Sequence, residues 1–400
     1  MKTIKDISFS GKKALVRCDF NVPLDKSQVI TDDTRIRESL PTIKKLLADG
    51  AAVILMSHLG RPAETGFESK YSLAPVAAHL TKTLGIPVKL ASDIFESKTV
   101  EDAKNLKAGE VLLLENLRFL PDEQKGNVEF AKYLASLGNV YVNDAFGTAH
   151  RAHASTAVIA QFFPTDKYFG FLLANEITNL DKLLHHADKP FTAIIGGSKV
   201  SSKIDIIKNL IPRVNNLIIG GGMAYTFVKA QGGKIGASIC EDDKLELALD
   251  ILNLMKQQGV QCYLPVDTLC GDKFDNDANQ KVFPIAAIED GWQGMDIGDA
   301  TISLFEDVIA KSKTILWNGP MGVFEFSTFA KGTTVIAQAV AKATKQGAFS
   351  AIGGGDSVAA INQNGLASQM SYISTGGGAM LEYLEGRTLP GVAAILNNTI

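Results

Sequence analysis

The chain carries no surplus of either charge: 40 Lys and Arg stand against 43 Asp and Glu, a formal net charge of -3 over 400 residues. Proteins that grip nucleic acid or an anionic bilayer over a broad face need a basic excess. Any anion bound here must therefore be met by a local cluster. Long hydrophobic runs are also missing. No apolar stretch approaches the ~18 residues that span a bilayer, and the opening MKTIKDISFSGKK lacks the apolar centre of a secretory leader. The expected location is the cytoplasm. Cysteine is scarce, and Cys18, Cys240, Cys262 and Cys270 form neither a C-x-x-C pair nor a metal-ligand spacing, which suits reduced structural thiols. Several signatures are absent as well: G-x-x-x-x-G-K-[ST], H-R-D with D-F-G, G-x-G-x-x-G, G-x-S-x-G and H-E-x-x-H. Walker ATPases, protein kinases, typical dinucleotide folds and the commonest hydrolases and zinc proteases lose support accordingly. No solenoid-period repeat or low-complexity tract accounts for the length.

What is present is a chain that is 46% apolar and 21% charged, long enough for two hydrophobic cores. Branched runs ending in Gly, Asn, Asp or His alternate with helical stretches: KKALVRCDFNVP, AAVILMSHLG, VLLLENLRF, NVYVNDAFG, FTAIIGGSK, NNLIIGGGM, TILWNGPMG and AFSAIGGGD. Continuous rather than alternating apolar runs predict parallel sheets covered on both faces, an α/β fold. Leu173, Ile177, Leu180 and Leu184 recur at helical spacing before Pro190, which predicts a helix connecting two lobes. The alternative is an ordinary surface helix within one domain.

The two halves differ. Six of eight arginines (17, 35, 37, 61, 118, 151) precede residue 170, whereas every run of consecutive glycines follows it. Guanidinium groups bind carboxylate and phosphate through a planar fork, and open parallel sheets bind ligands beyond the carboxyl ends of their strands. Asp19 and Asn21 follow ALVRC, His58 and Arg61 follow VILMS, Arg118 follows VLLLEN, and Arg151 follows VYVND. Each arginine alone reads as a surface charge; recurrence at four strand ends points to an anion site. His150 and His153 flank Arg151 and read better as support for that site than as a metal pair, since no third ligand accompanies them. In the glycine half, Gly196-Gly197, Gly220 to Gly222, Gly353 to Gly355 and Gly376 to Gly378 could let backbone N-H groups approach a phosphate. Lys199 and Lys203 would share a face if their segment begins a helix. Asp356 reads either as a Mg²⁺ carboxylate beside nucleotide phosphates or as a plain helix N-cap.

The ordered set VRCDFNVP, DDTRIR, SHLGRP, LLENLRF, NDAFGTAHRAHAS, GGSKVSSKI, GGGMA, WNGPMGVFE, GGGDS and STGGGA resembles the phosphoglycerate kinase family, over nearly the whole chain and without a departure inside a motif. The resemblance implies two Rossmann-like three-layer α/β/α lobes joined by a connecting helix and separated by a cleft that closes. It implies a phosphoglycerate-binding domain at 1-170 plus 388-400, a hinge helix at 171-189 and a nucleotide-binding domain at 190-387. Carried over by motif, the phosphoglycerate ligands are Asp19, Phe20, Asn21, Arg35, His58, Leu59, Gly60, Arg61, Arg118 and Arg151. Nucleotide binding falls on Gly197, Lys203, Gly221, Gly294, Asn318, Glu325, Gly353, Gly354, Gly355, Asp356 and Ser357. The expected metal is Mg²⁺ on Asp356, and Arg35, Lys199, Lys203, Gly355 and Gly378 are the expected catalytic positions.

The implied reaction passes the acyl phosphate of 1,3-bisphosphoglycerate directly to ADP, reversibly. In reverse the nucleophile is a carboxylate of reference pKa about 3.5 to 4, already ionised, so alignment and neutralised charge matter more than a base. A monomer is the family expectation. Rival readings are a catalytically silent metabolite or nucleotide sensor and an NAD-dependent oxidoreductase, the latter without its fingerprint.

Overall fold

The structure, a computed structural model, describes residues 1-396 and divides into two compact units, Met1–Thr178 with the chain from Thr388 onward, and Asn179–Arg387. Positions 397-400 of the expected return segment lie outside the described residues.

In the first unit, six parallel strands stand in the order β3-β4-β2-β1-β5-β6. They are β1 (Lys13–Arg17), β2 (Ala52–Met56), β3 (Val88–Leu90), β4 (Val111–Leu113), β5 (Val140–Asn143) and β6 (Lys167–Phe169). Every residue of β2, β4 and β5 is buried, as doubly covered strands require. The flanking helix Thr34–Ala48 buries Ile36, Leu40, Ile43 and Leu46 at three- and four-residue spacing. Each such aliphatic side chain contributes about 1.5–3 kcal/mol on burial.

The second unit repeats the plan in the order β10-β8-β7-β15-β16-β17. Its strands are β7 (Phe191–Ile195), β8 (Asn216–Ile219), β10 (Gln261–Tyr263), β15 (Thr314–Asn318), β16 (Phe349–Gly353) and β17 (Tyr372–Ile373). Two small sheets were not anticipated from sequence. One is antiparallel, in the order β12-β11-β14, from β11 (Asp267–Gly271), β12 (Gln280–Pro284) and β14 (Gln293–Ile297); the other pairs β9 (Lys234–Ile235) with β13 (Ala287–Ile288). Only Phe283 of β12 is buried, so this strand lacks the continuous apolar run that revealed the large sheets.

The helix Phe171–His185 bears the predicted Leu173, Ile177, Leu180 and Leu184 on its buried side, and the division between units falls within it. No helix among the described residues is long and apolar enough to cross a membrane.

Asp144, fully buried just beyond β5, closes the start of that helix by accepting the Leu173 N-H at 3.2 Å. A Cβ at Gly170 would lie 2.1 Å from its Oδ1. Burial pushes the carboxyl up to about 7, against hydrogen bonds from Thr42, Leu173 and Leu172 that lower it. A carboxyl that titrates higher folded than unfolded contributes stability present below the unfolded value, 3.8, and lost as pH rises through about 7. Asp144→Asn mimics the neutral form. Thermal unfolding from pH 4 to 7.5 should show the parent losing stability relative to this variant as pH rises; curves that stay parallel would refute the assignment.

Candidate active site

The sheet orders fix where ligands can bind. In the first unit, β1 leads to β2 on one side and the chain later crosses from β4 to β5 on the other, which opens a crevice beyond the carboxyl ends of these strands. Residues 17-21, 57-61, 116-118 and 144-155 converge there. Arg35, in the first turn of its helix, donates from Nη1 to Asp19 Oδ2 at 3.0 Å and to the Asn21 carbonyl at 3.2 Å. Asn21 Oδ1 accepts the Gly60 N-H at 2.8 Å, while Arg118 Nη1 donates to the Gly60 carbonyl at 3.2 Å. Arg118 Nε is buried without a hydrogen-bond partner. That is an orphan donor of the kind an anion would satisfy. Burial lowers the Arg118 pKa, aided by Arg17. Arg61 and Arg151 are exposed.

The remaining predicted positions behave differently. Phe20 and Leu59 are buried, so a ligand could meet only their backbone, and that is partly used: Phe20 N-H donates to Ser57 Oγ and the Leu59 carbonyl accepts from Asn116 Nδ2. His58 is almost wholly buried, and burial, then Arg17 and Arg118, holds its pKa well below 6.5. His153 is held at about 3 by burial first and then by the same arginines. Both imidazoles are thus neutral at pH 7, and the positive charge of the cluster resides on arginine alone.

Arg17 is not among the expected ligands. It is fully buried, donates from Nε to Ser155 Oγ at 2.7 Å and lies 3.3 Å from His58 Nδ1 through Nη2. Its only sequence signal is a basic residue ending an apolar strand.

In the second unit the strand order reverses between β7 and β15, where the backbones beyond the strand ends nearly touch. A Cβ on Gly196 would lie 2.1 Å from the Pro320 carbonyl oxygen, and one on Gly319 would lie 2.2 Å from the Gly196 oxygen. Gly221 donates to the Met321 carbonyl at 3.2 Å, and the Gly197 carbonyl accepts from Met223 at 2.9 Å. Asn318 links three segments: its Oδ1 accepts from Lys203 Nζ and its Nδ2 donates to the Gly353 carbonyl at 2.8 Å. Ser357 is fully buried with its Oγ accepting the Gly319 N-H at 2.6 Å. Its hydroxyl therefore braces the crevice from beneath.

Lys203 and Lys199 do not share a helical face. The helix starts only at Ile204, leaving Lys203 at its cap position and the exposed Lys199 in the preceding turn. Burial lowers the Lys203 pKa, opposed by Asp356 and Glu385. Asp356 is not an N-cap either: Gly354 holds that place, and exposed Asp356 sits in the first turn of the helix Gly355–Gln363. Glu325 is exposed in the loop after β15. Gly294 lies on β14, where a Cβ would be 1.8 Å from Tyr225 Oη. Gly378 opens the helix Gly378–Leu384.

Two anion-suited crevices, one lined by arginine and one by glycine and lysine, thus occupy the carboxyl edges of the two parallel sheets. The family model described as phosphoglycerate kinase matches residues 4–387. The chain belongs to the phosphoglycerate kinase family.

The phosphoglycerate kinase of Porphyromonas gingivalis is 52% identical, aligned over 98% of this chain and 99% of its own. The cytosolic phosphoglycerate kinase of Triticum aestivum is likewise 52% identical, over 98% and 97%. Among solved structures, phosphoglycerate kinase from Coxiella burnetii superposes with a TM-score of 0.90 at 41% identity, covering 99% of this chain and 98% of that one. The phosphoglycerate kinase of Pyrococcus horikoshii gives a TM-score of 0.83 at 32% identity, with the same coverage.

Proposed function

We propose that this member of the family is a phosphoglycerate kinase, reversibly moving the acyl phosphate of 1,3-bisphosphoglycerate to ADP to give 3-phosphoglycerate and ATP. The observation that carries the reading is the arginine cluster beyond β1, β2, β4 and β5, with its histidines held neutral. Such a site suits a substrate with phosphate and carboxylate groups. Because the acceptor carboxylate is already ionised, the chain has no need of a base.

In this reading Arg61, Arg118 and Arg151 hold the phosphate remote from the reacting end, together with the neutral His58 and the Asn21 side chain. Arg35 addresses the reacting carboxyl. The nucleotide lies against Gly197, Gly221, Gly294 and Glu325, with its phosphates near Lys199, Lys203 and the N-H groups at Gly355 and Gly378. Phosphoryl transfer depends on alignment and on neutralising charge on the moving group, which these cations and dipoles supply.

Mg²⁺ fits the donor set. No group of three His, Cys, Asp or Glu side chains able to hold a metal occurs among the described residues. Asp356 offers a single exposed carboxylate beside a glycine loop. One carboxylate plus substrate phosphates is how Mg²⁺ is commonly held, whereas a Zn²⁺ site needs several protein ligands. When bound, the ion neutralises phosphate charge. The proposed working form is a monomer.

The deciding assay incubates the protein with 3-phosphoglycerate and Mg-ATP and couples product to NADH oxidation through glyceraldehyde-3-phosphate dehydrogenase. Turnover dependent on 3-phosphoglycerate is expected. Binding of both ligands without turnover would replace this reading with that of a sensor.

A further inference from the structure

Behind the outer arginines of the first unit lies a carboxylate that no sequence motif singled out. Glu123, in the short helix Pro121–Gln124 that follows Arg118, is fully buried. A buried carboxylate is costly unless opposite charge and hydrogen bonds compensate it. Here Oε1 accepts from Ser155 Oγ at 2.5 Å and Oε2 accepts from Ser155 N-H at 3.0 Å. Oε1 also lies 3.9 Å from Arg17 Nη2 and 3.9 Å from His153 Nδ1. The backbone reinforces this tie. Ala154 N-H donates to the Glu123 carbonyl at 2.9 Å. A Cβ on Gly126 would approach the Ala152 oxygen to 2.6 Å, so the two segments lie directly on one another.

We propose that Glu123 is a positioning residue for phosphoglycerate binding: it fixes the segment carrying Arg151 and His153 against the turn carrying Arg118, and it matches the charge of buried Arg17. This rests on the proposed function. Ser155 is the junction, because the hydroxyl that donates to Glu123 also accepts from Arg17 Nε. Loss of the carboxylate leaves Arg17 as a buried cation without its compensating charge, with His58 3.3 Å away. It also leaves the Arg151 segment held on that side by backbone contacts. Both changes act on the anion site of the first unit and neither touches the crevice of the second. A merely structural role would instead reduce the folded fraction and leave both Michaelis constants of the remaining enzyme unchanged.

The test is Glu123→Gln, which keeps the shape and one acceptor while removing the charge, with Ser155→Ala as a milder companion should the first fold poorly. For Glu123→Gln the KM for 3-phosphoglycerate should rise about tenfold, the loss expected for a charge-assisted contact. The KM for Mg-ATP should stay within about twofold. Ser155→Ala should move the same constant in the same direction by less, and Glu123→Asp should restore part of the loss. Unchanged 3-phosphoglycerate KM in both Glu123→Gln and Ser155→Ala, or equal rises in both constants, would overturn the proposal. If the parent shows no turnover, the functional reading fails separately. Calorimetric affinity for 3-phosphoglycerate in parent and variants then makes the same comparison.

Discussion

Arg35→Ala should lower kcat by about 10²-fold while leaving the affinity for Mg-ADP within about twofold. The expectation comes from how the side chain is held. Asp19 and the Asn21 carbonyl both take hydrogen bonds from Nη1, and the side chain remains 34% exposed. One edge of the guanidinium is thereby anchored and the other is left to face a ligand. A donor fixed before the substrate arrives costs no reorganisation as charge develops, which is why removing one lowers turnover more than ground-state binding. Lys should rescue poorly, because a single ammonium cannot reproduce a planar fork gripped along one edge. Steady-state kinetics with calorimetric titration of Mg-ADP would check this. A comparable loss of nucleotide affinity would sink the assignment of Arg35 to the phosphoglycerate side.

Asp356→Ala should produce the opposite pattern, weakening Mg-nucleotide binding by about tenfold or more and leaving 3-phosphoglycerate affinity unchanged. Asp356 is exposed and caps no backbone N-H, so its removal leaves no buried orphan and should barely alter thermal stability. The loss should shrink as Mg²⁺ concentration is raised if the carboxylate holds the ion. Nucleotide affinity equal to the parent's at every Mg²⁺ concentration would rule out that role. Together the two variants form a cross: each should spare what the other damages.

The strands that lead into the two sites were legible because branched runs such as VILM and TILW are buried on both faces, and a doubly covered strand advertises itself by composition alone. Asp19, His58, Arg118 and Asp356 were legible because each follows such a run within a few residues. What lay beyond reach was phase and partnership. Lys199 and Lys203 are four apart, a spacing that pairs them only inside a helix. The helix begins only at Ile204, one residue after Lys203 and five after Lys199, with Val200 buried in the turn between the two lysines. Arg17 and Glu123 are charged residues that composition assigns to the surface. Their burial depends on Ser155 and His58 arriving from distant parts of the chain. The antiparallel sheet around β11 escaped because β12 exposes nearly all its side chains. Gly294 thus sits in a strand rather than in the phosphate-loop setting shared by the other glycines.

The contact between Gly196 and Gly319 sets a limit on how this chain can vary. Each position is closed to any side chain by the backbone of the other strand's loop, not by a neighbour that could be trimmed in exchange. A compensating second substitution therefore has nothing to act on. In a saturation library selected for folded protein, positions 196 and 319 should tolerate no replacement singly or as a pair, whereas the core around Trp317 should accept coordinated changes of volume. The two strands at the heart of the second sheet would then be joined by a shared absence, and sequence drift could reshape everything around it before altering that point.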